Sequence, residues 1–577
     1  MKILLTAINA KFIHSSLAVR SLKAYCPELS NNIRSIEYTI NNSEDYILTD
    51  IFKQKPDVIC FSCYIWNINM VVSLAKNLKK VLPNAKIICG GPEVSYESED
   101  FLLNNPDVDI VIRGEGEKTF GELCHALVEN TTWDNINGLT FRNCYRIVST
   151  PPQPPLYMDE LPFVYTDFSD LQHRIIYYET QRGCPYNCQF CLSSVEKGVR
   201  FLSLEKVYTH LDFFLKNNVK QVKFVDRTFN CNKAHATAIW QFLINNDNGV
   251  TNFHMEIEAH IMEDDTINLL RQARDGLFQF EIGIQSTNID TLTAVKRNPD
   301  FEFLKERIEK IKALKNIHIH LDLIAGLPHE SYSSFRKSFN DVYFLNADQL
   351  QLGFLKVLKG SGLRSDSEMY GIVNRHQSPY EVLFTKDISF EEMLRLKAIE
   401  DIVETYYNSG KALNTAKYTA LLFDTPFDFY ETFSIYWENN NHHRVNHSKQ
   451  ELYTIFYEFC NGSSFTKSKI ETIKELLKFD MLLCDNLNSL PNWVNTNESD
   501  EFKQAKRKFF NTPENINEYL PNLKTFTPAQ LSRMCRIESF NCNPQDVESD
   551  EKSVTLLFNY NLRDFSSNHA FTNRIEV

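Results

Sequence analysis

No apolar run in this 577-residue chain approaches the roughly 20 residues that a bilayer span requires, so no membrane span is expected. The apolar start Met1-Lys2-Ile3-Leu4-Leu5 stops at Asn9 and Lys11, too short for a secretory h-region. Positive charge is also scarce. Lys and Arg total 61 against 74 Asp and Glu, a net −13. That deficit argues against a broad electrostatic grip on nucleic acid, and none is expected as a partner. A Walker phosphate loop, a peptide-recognition signature and a basic groove are all missing, so the class of organic substrate is not named by any motif. Paired cysteine frameworks are missing too. Of 14 cysteines, eleven are scattered, many of them in apolar runs: Cys26, Cys60, Cys63, Cys89, Cys124, Cys144, Cys231, Cys460, Cys484, Cys535 and Cys542. Free cysteine in such runs behaves as a small hydrophobe, and a reducing cytoplasm suits it. Cys60 and Cys63 form a CxxC, but within an apparent strand, where core packing is the expected role.

What is present is one dense stretch, Gln181-Arg182-Gly183-Cys184-Pro185-Tyr186-Asn187-Cys188-Gln189-Phe190-Cys191. Three cysteines stand in CxxxCxxC spacing. Thiolates bind iron well, and iron–sulfur clusters are usually held by four. A compact loop that offers three would leave one iron of a 4Fe–4S cube free for a small ligand. Gly183 allows a tight turn, and Pro185 and Asn187 favour loop over helix. The alternatives are a structural zinc site or three unrelated thiols. Zinc usually takes four protein ligands in paired spacings, and no partner pair lies nearby.

The pattern resembles the radical S-adenosylmethionine (radical SAM) superfamily, whose signature is CxxxCxΦC with an aromatic Φ, here Phe190. The resemblance implies that Cys184, Cys188 and Cys191 hold a 4Fe–4S cluster and that SAM chelates its fourth iron. It further implies a reductant, such as flavodoxin or ferredoxin.

Upstream, over residues 1–150, short apolar runs alternate with helical patterns. Candidate strands are 2–8, 33–38, 58–62, 86–89 and 108–112, with helices between them. This alternation predicts a doubly wound parallel α/β sheet, whose ligands sit beyond the carboxyl ends of the strands. The turns there are Asn9-Ala10-Lys11, Gly90-Gly91-Pro92-Glu93 and Arg113-Gly114-Glu115-Gly116-Glu117. Together they resemble the cobalamin-binding domain of cobalamin-dependent radical SAM enzymes. The resemblance implies cobalamin contacts at Ser62, Gly90, Gly91, Gly114, Glu115, Gly116 and Glu117. The DxHxxG motif that gives cobalt a histidine in other cobalamin proteins is absent, and the lone His14 does not fit it. A domain that kept the fold and lost the cofactor is the alternative.

Residues 137–148 read as a hairpin, and the proline-rich 151–170 as a stiff linker. From 171 to 360 about six strand–helix units recur, the count of a partial (β/α)6 barrel. The cluster loop follows the first strand, at the carboxyl mouth where barrel active sites lie. Strand ends carry Asp226, then Glu256 and Glu258, then Glu281 with Gln285, then Asp322 leading to Ile324 and Gly326. By resemblance, Asp226, Glu258, Glu281, Gln285, Ile324 and Gly326 contact SAM. Residues 361–577 read as a mainly helical domain, with one strand near 553–559. That block is read as a cap over the barrel or as a partner surface. The sequence as a whole is read as a cobalamin-dependent radical SAM enzyme that methylates an unactivated carbon. The rivals are a cyclase or rearrangement enzyme on the same architecture, and a non-enzymatic iron–sulfur redox sensor. No catalytic side chain is named by the sequence.

Overall fold

A computed structural model describes the whole chain except residues 144–145, 167, 170, 196–197, 488, 495–498, 550, 552, 565–567 and 577. Cys144 therefore lies outside the described residues. The first strand, β1 (Ile3–Asn9), is buried at all seven positions. Continuous burial is what a central strand of a parallel sheet needs, since helices cover both its faces. Leu4 and Ile8 enter one apolar cluster, while Ile3, Leu5 and Ala7 enter the other, following the period of two. β2 (Ile33–Thr39), β3 (Val58–Ser62), β4 (Lys86–Gly90) and β5 (Ile110–Ile112) complete the parallel set in the order β2-β1-β3-β4-β5. The expected hairpin is β6 (Leu139–Asn143) with β7 (Arg146–Ser149), and it extends the sheet antiparallel at the β5 edge. Cys60 and Cys63 point into opposite apolar clusters, so the CxxC is not a vicinal redox pair.

The second sheet holds β8 (Ile176–Tyr178), β9 (Gln221–Phe224), β10 (Asn252–Glu256), β11 (Phe278–Gln285), β12 (Ile317–Ala325) and β13 (Gln349–Phe354), ordered consecutively. Pairing is parallel from β8 to β12. This is the expected six-strand partial barrel. Burial alternates along β12, with Ile317, Ile319, Leu321 and Leu323 buried and His318, His320, Asp322 and Ile324 partly open. The apolar face packs outward, and the polar face lines the lumen.

The chain forms two compact units, Met1–Phe335 with Gly353–Phe390, and Arg336–Leu352 with Glu391–Val577. The barrel's last helical stretch thus sorts with the C-terminal unit, although the change of period in sequence suggested a boundary near 360. Within the second unit, helices Pro426–Asn439 and Lys449–Asn461 interlock through Phe429, Phe433, Phe456 and Phe459 rings. Helix Lys467–Cys484 buries Asp480, which accepts hydrogen bonds from Asn414 and Thr415 at the start of helix Leu413–Ala420. Three antiparallel strands follow, β14 (Cys535–Phe540), β15 (Val554–Arg563) and β16 (Ala570–Arg574). Only the middle one was legible as a strand.

Candidate active site at the barrel mouth

The cluster loop leaves β8 at the carboxyl end of the sheet. Its turn needs Gly183, whose φ of +93° places a Cβ against the carbonyl of Gly198. Asp226, fully buried, braces the approach to the loop. Its carboxylate accepts from the Thr180 and Gln181 amides at 2.7 and 3.1 Å and from the Thr180 hydroxyl at 2.5 Å. Burial pushes this carboxyl up to about 7 against those hydrogen bonds. Asp226 is thus committed to the backbone rather than open to a ligand.

All three motif cysteines are free thiols, with Cys188 buried and Cys184 and Cys191 half-buried. Cys184 Sγ lies 3.5 Å from the Thr228 hydroxyl. Arg297 Nη1 reaches Cys188 Sγ at 3.6 Å, and the Cys191 amide donates to the Cys188 carbonyl. Burial raises the Cys188 thiol, and the Arg297 charge favours the thiolate against it. Among the described residues no three His, Cys, Asp or Glu side chains converge on a single-ion position. A cube instead spreads its thiolates over separate irons. Three thiols on one loop, with Arg297 against Cys188, fit a cluster.

Arg297 was not legible in sequence, because it joins the site through the fold alone. Its Nη2 donates to Glu258 Oε2 at 3.1 Å and to the Gly283 carbonyl at 2.7 Å. Glu258 also pairs with His260 Nδ1 at 2.8 Å. Burial works against the Glu258 charge, but His260 and Arg297 prevail and hold the carboxyl below its usual range. Gln285, closing β11, sits at φ +72°, a strained region for a side-chain-bearing residue. Its Oε1 is buried and without a hydrogen-bond partner, and its amide folds over Gly283, where a Cβ would collide with it. An orphaned acceptor beside a cluster loop is a place for a ligand donor. Ile324 and Gly326 continue the same rim at the end of β12. Glu330, also missed in sequence, is fully buried beneath the rim and accepts from Ser286 at 2.8 Å. Glu281 lies lower in the lumen, bonded to Lys223 and His254, both at 3.0 Å. Burial opposes its charge, yet those two partners bring it down to about 2.

The first sheet presents its own carboxyl edge. Gly91, at φ +113°, lies on the Cys63 carbonyl, which a Cβ would approach to 2.6 Å. Gly114, at φ +72°, faces open space, and Gly90 lies on Ile112. Ser62 is half-buried, and its carbonyl accepts from Asn67. Just past it, Tyr64 and Trp66 stack at 4.3 Å and 6°, with Trp66 still 44% exposed. A flat aromatic pair beside glycine turns suits a broad planar cofactor. Gly116 caps helix Glu117–Glu129. Glu115 and Glu117 turn to the barrel instead. Glu117 pairs with Arg182 at 2.6 Å, Glu115 with Arg200 and, at 3.4 Å, with Arg182, and Arg182 with Glu179 at 2.6 Å. Burial opposes the Glu117 charge and Arg182 overcomes it, leaving the carboxyl below its usual range. His14 is bonded through Nδ1 to the Tyr177 hydroxyl at 2.6 Å.

A second bridge joins the two sheets. Lys359 Nζ meets the buried Glu93 at 2.9 Å, which also accepts from the Tyr380 hydroxyl. Arg364 pairs with Glu97 at 2.7 Å, and the Leu363 amide donates to the Gln189 carbonyl of the cluster loop at 2.9 Å. The segment 359–364 thus ties the Gly90-Gly91 turn to the cysteine loop.

Comparison with known proteins agrees with this geometry. Residues 3–124 match the B12 binding domain, 178–342 the Radical SAM superfamily, and 368–558 a protein family of unknown function, DUF4080. The cobalamin-dependent radical SAM methyltransferase TokK of Streptomyces tokunonensis is 27% identical over 341 residues, 55% of this chain and 50% of that one. The 2-(S-pantetheinyl)-carbapenam-3-carboxylate methyltransferase of Streptantibioticus cattleyicolor is 28% identical over 303 residues, 49% of this chain and 44% of that one. The chain thus spans about half the length of these curated relatives. Among solved structures, the cobalamin-dependent S-adenosylmethionine radical enzyme OxsB with aqua-cobalamin bound superposes at TM-score 0.58 and 14% identity, covering 83% of this chain and 79% of that one. The radical S-adenosylmethionine methyltransferase TsrM from Kitasatospora setae gives 0.54 at 15% identity, covering 66% and 80%. These likenesses establish the fold. Among the described residues no helix is long and apolar enough to cross a membrane.

Proposed function

We propose that this chain, which belongs to the radical SAM proteins with a B12-binding domain before the barrel and a DUF4080 region behind it, methylates an unactivated carbon of an organic substrate. Bound cluster, SAM and cobalamin supply the reductive cleavage of a C–S bond to a primary carbon radical and a transferable methyl group. The protein's share is placement. Cys184, Cys188 and Cys191 would hold the cluster, and Arg297 fixes Cys188 against Glu258. Glu258, Gln285, Ile324 and Gly326 would seat SAM at the rim, and Gln285 offers its orphaned Oε1 to a donor. Gly90, Gly91 and Gly114, with the Tyr64–Trp66 stack, would seat cobalamin, while Glu115 and Glu117 dock that face on the barrel. A flavodoxin or ferredoxin would deliver the electron.

The observation that carries this reading is the pairing of Glu117 with Arg182, two residues before Cys184. It brings the carboxyl edge of the first sheet against the cysteine loop, as two cofactors acting on one substrate require. The test is anaerobic reconstitution with iron, sulfide and cobalamin, then dithionite and SAM carrying a deuterated methyl group. Release of 5′-deoxyadenosine and transfer of the label to protein-bound cobalamin are expected. Release of 5′-deoxyadenosine with unlabelled cobalamin would remove methylation and leave the ring-forming chemistry of relatives such as the anaerobic magnesium-protoporphyrin IX monomethyl ester cyclase of Synechocystis, 26% identical over 257 residues. No 5′-deoxyadenosine at all would leave only a redox sensor.

A further inference from the structure

Barrel lumens are commonly filled by layers of branched apolar side chains. This one is polar from its floor to its rim, and its layers differ in how well their charges are answered. The floor is self-satisfied, because Lys223 and His254 both hold Glu281 at 3.0 Å. The rim is self-satisfied too, through Glu258 with His260 and Arg297. Two further lumen carboxylates are not answered. Glu256 stands one lumen-facing position below Glu258 on β10, and Asp322 one below Ile324 on β12. One such step is about 7 Å along a strand. β11 separates the two strands, and Glu256 registers with Glu281 while Asp322 registers with Gly283. Among the described residues neither the Glu256 nor the Asp322 side chain makes a hydrogen bond or an ion pair, and Asp322 Oδ1 is wholly enclosed without a partner. Interior carboxylates are costly unless paired, so two unanswered ones in one lumen imply a partner from outside the chain.

We propose that Glu256 and Asp322 receive a cationic organic group of the substrate, an amine or a guanidinium. The proposal rests on the radical reading above, since it seats the substrate in the lumen beneath the rim. An organic cation suits the pair better than a metal ion, because no ligand set among the described residues converges on one point. Among the described residues the cations that act on the two carboxylates are Lys223, Arg227 and Arg297. Lys223 and Arg297 are already bonded to Glu281 and Glu258, while the exposed Arg227 favours the Glu256 charge without reaching it. Burial, followed by the charges of Glu281 and Glu256, pushes Asp322 up to about 8, and burial with Glu281 raises Glu256 as well. His318 and His320 stand on the same face of β12, and His254 and His320 are both held neutral by burial. At neutral pH the empty pair therefore keeps a proton, and a bound cation expels it.

SAM also carries an ammonium group, so the test must separate the two sources. Reconstituted protein is saturated anaerobically with S-adenosylhomocysteine and titrated by calorimetry with cadaverine, agmatine, 1-pentanol and pentanoate. At least one of the two cations should bind saturably, about tenfold or more tighter than the neutral and anionic probes, the scale of one charge-assisted hydrogen bond. The heat should vary with the buffer's ionisation enthalpy, which reports proton release at pH 7. The Glu256→Gln/Asp322→Asn variant should lose that preference and keep its affinity for S-adenosylhomocysteine. Three results overturn the proposal: no saturable binding of either cation, equal binding of 1-pentanol, or a variant that loses S-adenosylhomocysteine instead of the probe. Should cation binding persist in protein that never releases 5′-deoxyadenosine from SAM, the radical reading fails and the cation receptor stands.

Discussion

Replacing Arg182 by Met tests the joint between the two sheets. Arg182 is shared by Glu117, Glu115 and Glu179. After the change Glu179, 20% exposed at its side chain, can turn to water. Glu117, at 7%, cannot, and keeps its own backbone amide and the Ser21 hydroxyl at 2.9 Å. Removing one partner of a buried pair costs about 3–5 kcal/mol. At the shallow end for large domains, about 2 °C per kcal/mol, the expected loss in Tm is roughly 6–10 °C. Glu117→Gln should cost less, because Arg182 keeps Glu179. The pH dependence carries the sign. In the native protein the Glu117 carboxyl is depressed, so its contribution is present above the unfolded carboxylate pKa and is lost as pH falls through the folded value. Without Arg182 burial dominates, the carboxyl is raised, and the variant should recover stability relative to wild type as pH falls towards 5. Calorimetry of anaerobic protein at pH 5, 6 and 7 reads both effects. A loss below 1 °C at pH 7, or a deficit that widens on acidification, refutes the reasoning.

Other changes have equally direct outcomes. Cys188→Ala should lower bound iron well below four per chain, lose the broad absorbance near 400 nm and abolish 5′-deoxyadenosine release; normal iron content would remove the assigned ligand. Gly91→Ala places a Cβ 2.6 Å from the Cys63 carbonyl at φ +113°. It should cost about 1–3 kcal/mol and reduce the cobalamin retained after gel filtration, whereas Gly114→Ala, which faces open space, should cost only its backbone strain. Asp226→Asn keeps an acceptor for the Thr180 and Gln181 amides. Because burial raises Asp226 to about 7, the wild-type carboxyl lowers stability progressively as pH rises from about 4 to about 7, by up to about 4 kcal/mol. The Asn variant should flatten that slope in urea titrations; an unchanged slope would mean that other groups produce it.

The sequence by itself determined the elements whose signals are local. Seven buried residues in β1, the alternation along β12 and the CxxxCxxC loop each follow from spacing along a few residues, and spacing survives any later packing. The proposed cysteine ligand set is likewise local, since one loop carries all three. The tertiary structure decided which charges meet. Glu115 and Glu117 read as cofactor contacts through the resemblance of their turn to that of the cobalamin-binding family, and in the fold they reach Arg200 and Arg182. Asp226 and Glu281 read as one class of strand-end carboxylate, yet one braces a backbone and the other is hydrogen-bonded to Lys223 and His254. Arg297, far from any motif, became the hinge of the site through contacts at separations of 109, 39 and 14 residues. Pairing of that kind depends on which strands lie side by side. A carboxylate's role is fixed by the cation opposite it, and no stretch of sequence contains both.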